Sequence, residues 1–456
     1  MAINVKHIKV SVSPIKANLW KTQKNTFGIP CFLSLWVLLF EKSESPMTKL
    51  EKVINRINKY RNEMVDMQIK LCSFPAIAPA NGGKGEAEKA EALLEMLKDI
   101  EFDKKDVIKA PDINAPSGYR PNIIVTYKGE SSSKTIWIMT HMDVVPPGEP
   151  ALWKGNPFKA YIESGKIYGR GVEDNHQDLI ASINALKAFH KENIKPKFDV
   201  GLIFVSDEET GNEKGIEYIM KNSNPFRKQD LIIVPGFGNK SGTMIQIAEK
   251  SIYWLKVRTI GRQTQGSTPE KGINSLKATA FLITELTKLY KIFPEKDPIF
   301  SPPISTFEPT KKEANVPNIN TIPGEDAFYM DCRLIPKHNI DQVKKEIQKI
   351  AKRIEKKHHV KIVLEDVQKD AACTETSLDA PVVKCLKKAI KDIYGKNAKP
   401  IGIGVRTVAS FLRKTDYRAA CWSKIEETAH QPDEYCVIDN MVGDAKVFAH
   451  ILLQDS

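Results

Sequence analysis

Apolar residues recur at helical spacing between Lys49 and Leu71, through Leu50, Val53, Ile54, Ile57, Tyr60, Met64 and Met67. This predicts an amphipathic helix. A second helix is predicted from Gly85 to Asp99, after the turn-forming Pro79-Ala80-Asn81-Gly82-Gly83. Three short apolar runs follow, Thr135 to Met139, Val200 to Val205 and Leu231 to Val234. They alternate with helical or loop stretches, one carrying Leu179, Ile183, Leu186 and Phe189 on a single face. That alternation predicts an α/β fold with a mostly parallel sheet.

The pattern changes near Ser251. Ile252 to Ile260 alternates as a half-exposed strand. A helix (Ile273 to Tyr290), a strand ending at Asp331-Cys332-Arg333, a helix (Ile340 to Ile354) and a strand (Val360 to Leu364) come next. This order predicts a small ferredoxin-like α/β sandwich inserted in the larger domain. The expected organisation is an N-terminal extension over 1–46, the larger domain over 47–252 and 372–456, and the insertion over 253–371.

Residues 1–46 stand apart. The apolar run Ile29 to Phe40 is too short for a membrane span, which needs about 20 residues. Glu41 to Pro46 offers no small-residue cleavage site, so the segment reads as an upstream extension ahead of Met47. It carries six Lys against two Glu, so +4 of the net charge of +12 is confined there. The rest is spread without a basic stripe, which argues against nucleic acid as a partner. No membrane partner is expected either. Seven Cys, at 31, 72, 332, 373, 385, 421 and 436, form no C-x-x-C pair, as expected of reduced thiols in a cytoplasmic protein.

The first two predicted strands of the larger sheet are followed by polar residues, His141-Met142-Asp143 and Glu208-Glu209, and the third runs into Pro235-Gly236. Strand carboxyl ends share one edge of an open α/β sheet, where ligands bind. With Asp174 and His430, these residues could converge there. Imidazole nitrogen and carboxylate oxygen are zinc donors, and two zinc ions can share one bridging carboxylate. His141, Asp174, Glu209 and His430 are the candidate ligands, with Asp143 fixing the His141 imidazole and Glu208 as general base. Taken singly, a His-x-Asp or an acidic loop is common. The ordered combination is what carries specificity.

That combination resembles the dinuclear zinc family of aminoacylases, glutamate carboxypeptidases, succinyl-diaminopimelate desuccinylases, acetylornithine deacetylases and related dipeptidases. The resemblance runs from about residue 47 to the C-terminus. It rests on Thr140 to Pro146, Trp153 with Asn156-Pro157-Phe158, Tyr168 to Asn175, Asp207 to Gly211, Asn318 to Gly324, Asp331-Cys332-Arg333 and Thr428 to Glu434. It implies that Asp174 bridges two metals, His141 binding one while Glu209 and His430 bind the other. It also implies that Asn320 and Arg333 hold a substrate carboxylate, with Thr407 a further substrate contact, and that the insertion is a lid that forms a homodimer. The implied substrate is a small peptide or an N-acyl amino acid.

Five residues at four places depart from the pattern. Gly236 stands where the family carries a carboxylate ligand, and Gln265 where it carries a His that resembles an oxyanion donor. Asp178 stands in place of Gly, and Val405-Arg406 in place of Gly residues of a substrate-facing turn. One firmly bound zinc and a weak second are therefore expected, with cobalt or manganese as possible substitutes. Two readings stay open: an amide hydrolase impaired at Gly236, or a non-catalytic paralogue that keeps the fold to bind a ligand or partner.

Overall fold

Thr48 opens the first helix, Lys49–Lys59, as a capping box: its hydroxyl accepts from the Glu51 amide while the Glu51 carboxylate accepts from the Thr48 amide. The computed structural model describes residues 46–455, so the extension predicted over 1–46 lies almost wholly outside the described residues. The single helix expected to Leu71 is two, Lys49–Lys59 and Arg61–Cys72. At Tyr60 the chain turns and its amide bonds back to Ile57. Val53 and Ile57 are buried before the turn, Met64, Met67 and Leu71 after it.

The main sheet has eight strands. Their order is Lys104–Pro111, Tyr119–Tyr127, Phe198–Val205, Ser131–His141, Leu231–Gly238, Ala419–Ser423, Met244–Glu249 and Lys399–Ile403. Its centre is parallel, with Ser131–His141 flanked by Phe198–Val205 and Leu231–Gly238. The Lys104–Pro111 and Tyr119–Tyr127 strands add an antiparallel edge that the apolar pattern did not predict. The Gln177–Lys191 and Ile438–Leu452 helices pack against each other and, with Trp422, Phe204 and Phe448, bury the largest core.

Four antiparallel strands form a second sheet, in the order Thr306–Lys312, Glu325–Leu334, Ser251–Ile260 and Lys361–Asp370. Helices Ser275–Leu286 and Ile340–His358 contribute to a core of its own around Leu255, Leu282, Phe328, Met330 and Ile347. Side chains on Ser251–Ile260 alternate between buried and partly exposed, as its sequence pattern requires. Both sheets draw on one chain in which Ser251–Ile260 follows directly on Met244–Glu249. Among the described residues no helix is long and apolar enough to cross a membrane.

Packing in the main sheet is tight at Gly201. It pairs with Trp137, whose indole is buried and donates to Asp230 Oδ2 at 2.9 Å. A Cβ on Gly201 would lie 2.0 Å from Trp137 Cε3. Gly201→Ala must push that indole off its partner, and overpacking of this kind costs about 1–3 kcal/mol. A urea unfolding midpoint unchanged by the substitution would contradict this packing.

Candidate metal centre

His141 is the last residue of its strand, and Glu208 and Glu209 lie just past the end of the parallel neighbour Phe198–Val205. Asp174 precedes the Gln177–Lys191 helix, while His430 sits between Ala419–Ser423 and Tyr435–Val437. These side chains line one cavity of about 300 Å³, together with Gly236, Arg406 and Thr407.

Asp174 faces both histidines. Its Oδ1 lies 2.9 Å from His141 Nε2, and its Oδ2 lies 3.4 Å from His430 Nε2. His430 Nε2 is also 3.2 Å from Glu209. Two sets of donor atoms fall within 4.8 Å of one another: His141, Glu208 and Glu209 in one, Asp174, Glu209 and His430 in the other. Nitrogen and carboxylate donors in such sets fit zinc, cobalt or manganese.

The local charges point the same way. Burial pulls the His141 imidazole pKa down, but hydrogen bonds to Asp143 and Asp174 reverse this and hold it well above the usual range. Hydrogen bonds to Asp174 and Glu209 raise His430 to about 10. Burial pushes Glu208 up to about 8, opposed by His141 and reinforced by Glu209 and Asp174. Three carboxylates lining one cavity thus share two imidazoles as their adjoining cationic partners. This is an environment in which a divalent cation is favoured.

Beneath the cavity the remaining acids are satisfied by backbone amides. Asp143 accepts from the amides of Glu208 (3.2 Å) and Glu209 (2.9 Å) and lies 3.5 Å from His141 Nδ1. It therefore fixes the Glu208-Glu209 loop as well as the imidazole. Glu434 accepts from the amides of Gly171, Glu173 and Asp174 and pairs with Arg170 at 2.6 Å. Glu173 accepts in return from the amides of Glu426, Thr428 and Ala429. Each loop that carries a candidate ligand is tied down by an acid from the other. Buried Lys89 donates to the Met142 carbonyl at 2.9 Å, bracing the His141 turn. Glu173 and Glu434 fall inside the resembling stretches and Lys89 outside them, but no local signal in the sequence marks any of the three as a brace. In isolation they look like ordinary charged residues of loops and a helix.

Other predicted residues lie elsewhere. Gln265, on a two-stranded ribbon of Thr264–Gln265 with Thr321–Ile322, and Asn320, just before its second strand, are exposed and outside the cavity. Arg333 gives Nε and Nη2 to Asp331 and Nη1 to the Gly404 carbonyl, and does not line the cavity. Thr407 lines it, but its hydroxyl donates to buried Glu249 at 2.6 Å. Asp178 is buried behind Asn175, accepts from Ser423 at 2.7 Å and joins neither donor set.

Residues 137–454 match the peptidase family M20/M25/M40. The chain belongs to this family. An uncharacterized metallohydrolase of Methanocaldococcus jannaschii is 40% identical over 405 residues, covering 86% of this chain and 98% of that protein. A succinyl-diaminopimelate desuccinylase of Pelagibacter ubique is 27% identical over 400 residues, 84% of this chain and 96% of that enzyme. Human carnosine dipeptidase 1 shares the fold, with a TM-score of 0.65 at 17% identity over 90% of this chain and 99% of that one. The protein is thus an M20 metallohydrolase with a large, mainly parallel sheet.

In this M20 chain Gly236 is held by its backbone. Its amide donates to Ser423 Oγ at 2.8 Å, and its φ of +106° is one that L side chains rarely adopt. A Cβ there would lie 4.0 Å from Asp174 Oδ1, but only 2.8 Å from Nδ2 of the fully buried Asn175. An acid at 236 is therefore aimed at the cluster, but it would displace the Asn175 amide and hold a backbone conformation that L side chains rarely adopt. Gly236→Asp should destabilise the fold by about 1–3 kcal/mol through backbone strain and this contact. Adding Asn175→Ala should recover part of the loss. Equal urea midpoints for the parent and Gly236→Asp would contradict this.

Proposed function

We propose that the protein hydrolyses an amide bond beside a free carboxylate, in a dipeptide or an N-acyl amino acid. The observation that carries this reading is Asp174 facing His141 with one oxygen and His430 with the other, with Glu208 on the same cavity wall. Asp174, Glu209 and His430 would hold one divalent metal tightly, zinc first, with cobalt or manganese as substitutes. His141 and Asp174 would hold a second weakly, because Gly236 offers no ligand.

A bound divalent metal would polarise the scissile carbonyl and make water a stronger nucleophile. Glu208 takes the proton of the attacking water and passes it to the nitrogen as the C–N bond breaks. Asp143 holds the His141 ring and the Glu208-Glu209 loop in place. Glu173 and Glu434 keep the Asp174 and His430 loops in register.

Gln265, Asn320 and Arg333 stand outside this chain's cavity, which supports a homodimer in which the 253–371 segment serves as lid and joins the copies. There Gln265 would donate to the developing oxyanion, while Asn320 and Arg333 would anchor the substrate carboxylate. A cytoplasmic location fits the six free cysteines among the described residues. Glu208 lines the same cavity as His141, Asp174, Glu209 and His430, which supports the catalytic reading over the non-catalytic alternative.

The test is an assay of the full-length protein with zinc, cobalt or manganese against dipeptides and N-acetyl and N-succinyl amino acids. Hydrolysis is expected in the parent. Glu208→Gln should lower kcat by about 10²–10⁴ while the metal content is retained. No hydrolysis of any substrate, or a Glu208→Gln variant as fast as the parent, would contradict the reading.

A further inference from the structure

Among the described residues, Arg406 is the one Lys or Arg side chain lining the cavity; the other charged or titratable groups on its walls are Asp174, Glu208, Glu209, His141, His430 and Cys421. Its guanidinium is anchored on several sides. Nε donates to Ser410 Oγ at 3.2 Å, Nη1 lies 3.2 Å from Asp370, and the group stacks on the Phe411 ring at 4.3 Å. Nη2 donates no hydrogen bond among the described residues.

A bare ion pair with Asp370 would be an ordinary feature of a partly exposed arginine, of small energetic value. Two facts set this one apart: the planar fork is fixed in place, and it borders the cavity with donors left over. An anionic group entering among three carboxylates meets a fixed positive charge at this fork, apart from the two histidines that Asp174 and Glu209 already engage. Planar guanidinium and carboxylate match in geometry as well as charge. Arg333, the arginine expected from sequence to bind a carboxylate, is bonded to Asp331 and Gly404 and lies off this cavity.

We infer that Arg406 is a specificity-determining residue that selects substrates carrying a carboxylate within this chain's own cavity, such as an acidic acyl group or an acidic side chain. This carboxylate is additional to any that Arg333 and Asn320 engage. The inference rests on the cavity being the substrate site, and it names the substrate class that site takes.

The test is calorimetric binding of succinate and butyrate to the full-length protein with zinc added, the two ligands differing by one carboxylate. Charge-assisted hydrogen bonds of this kind give roughly 10–100-fold, so succinate should bind the parent at least about tenfold more tightly. Arg406→Gln should reduce succinate to the level of butyrate and leave butyrate unchanged. Arg406→Lys, which keeps the charge and loses the fork, should fall between. Equal binding of both ligands to the parent, or binding of neither, overturns the inference. So does a succinate preference that survives in Arg406→Gln. Because the readout is binding, an Arg406-dependent preference in a protein that hydrolyses no amide would sink the proposed reaction and leave the anion site standing. Hydrolysis without the preference would do the reverse.

Discussion

Concentrated negative charge at one sheet edge is the constraint around which this molecule is arranged. Asp143, Asp174, Glu173, Glu208, Glu209 and Glu434 sit in or just behind a single cavity. Carboxylates taken out of water need hydrogen bonds or counter-charge. The fold divides them into two sets. Acids facing the protein (Asp143, Glu173 and Glu434) are met by backbone amides and, for Glu434, by Arg170. Acids facing the cavity (Asp174, Glu208 and Glu209) meet His141 and His430, the nitrogen donors a metal site requires. Structure and chemistry are joined here, because the acids that fix the loops are neighbours of the acids that line the site.

This arrangement explains what could be read from the chain alone. The central strands are continuous apolar runs, since both faces of a parallel sheet are covered, and the motif residues at their ends point to a shared edge. The Lys104–Pro111 strand escaped notice because it is a partly exposed edge with few apolar positions. Glu173 and Glu434 escaped for a different reason. Their partners lie some 250 to 260 residues away in sequence, and nothing local distinguishes a brace from a solvated acid. The helix break at Tyr60 likewise leaves the helical spacing of apolar residues almost undisturbed. Asn320 matched a motif and Gln265 departed from one, yet nothing local in either stretch shows that these residues stand outside the cavity.

Gly236 gains a second meaning from the structure. By sequence it is a missing ligand; in the fold it is also a backbone position whose φ and whose neighbour Asn175 disfavour any side chain. In the proposed metal centre, a carboxylate at 236 would have to be accommodated against the backbone φ there and the packing of Asn175, Asp178 and Ser423. Arg406, which stands where the family has a small residue, adds a fixed cation to the same cavity wall. Both positions border the cavity while Asp174, Glu209 and His430 remain a complete donor set.

The asymmetry of the two halves is the central claim, and calorimetric titration of the metal-stripped, full-length protein with Zn²⁺ tests it most directly. One equivalent should bind tightly at Asp174, Glu209 and His430, and a second should bind at least roughly 10–100-fold more weakly, since a lost supporting group alone has that effect. Two equivalents of equal affinity, or no tight equivalent at all, would contradict the account.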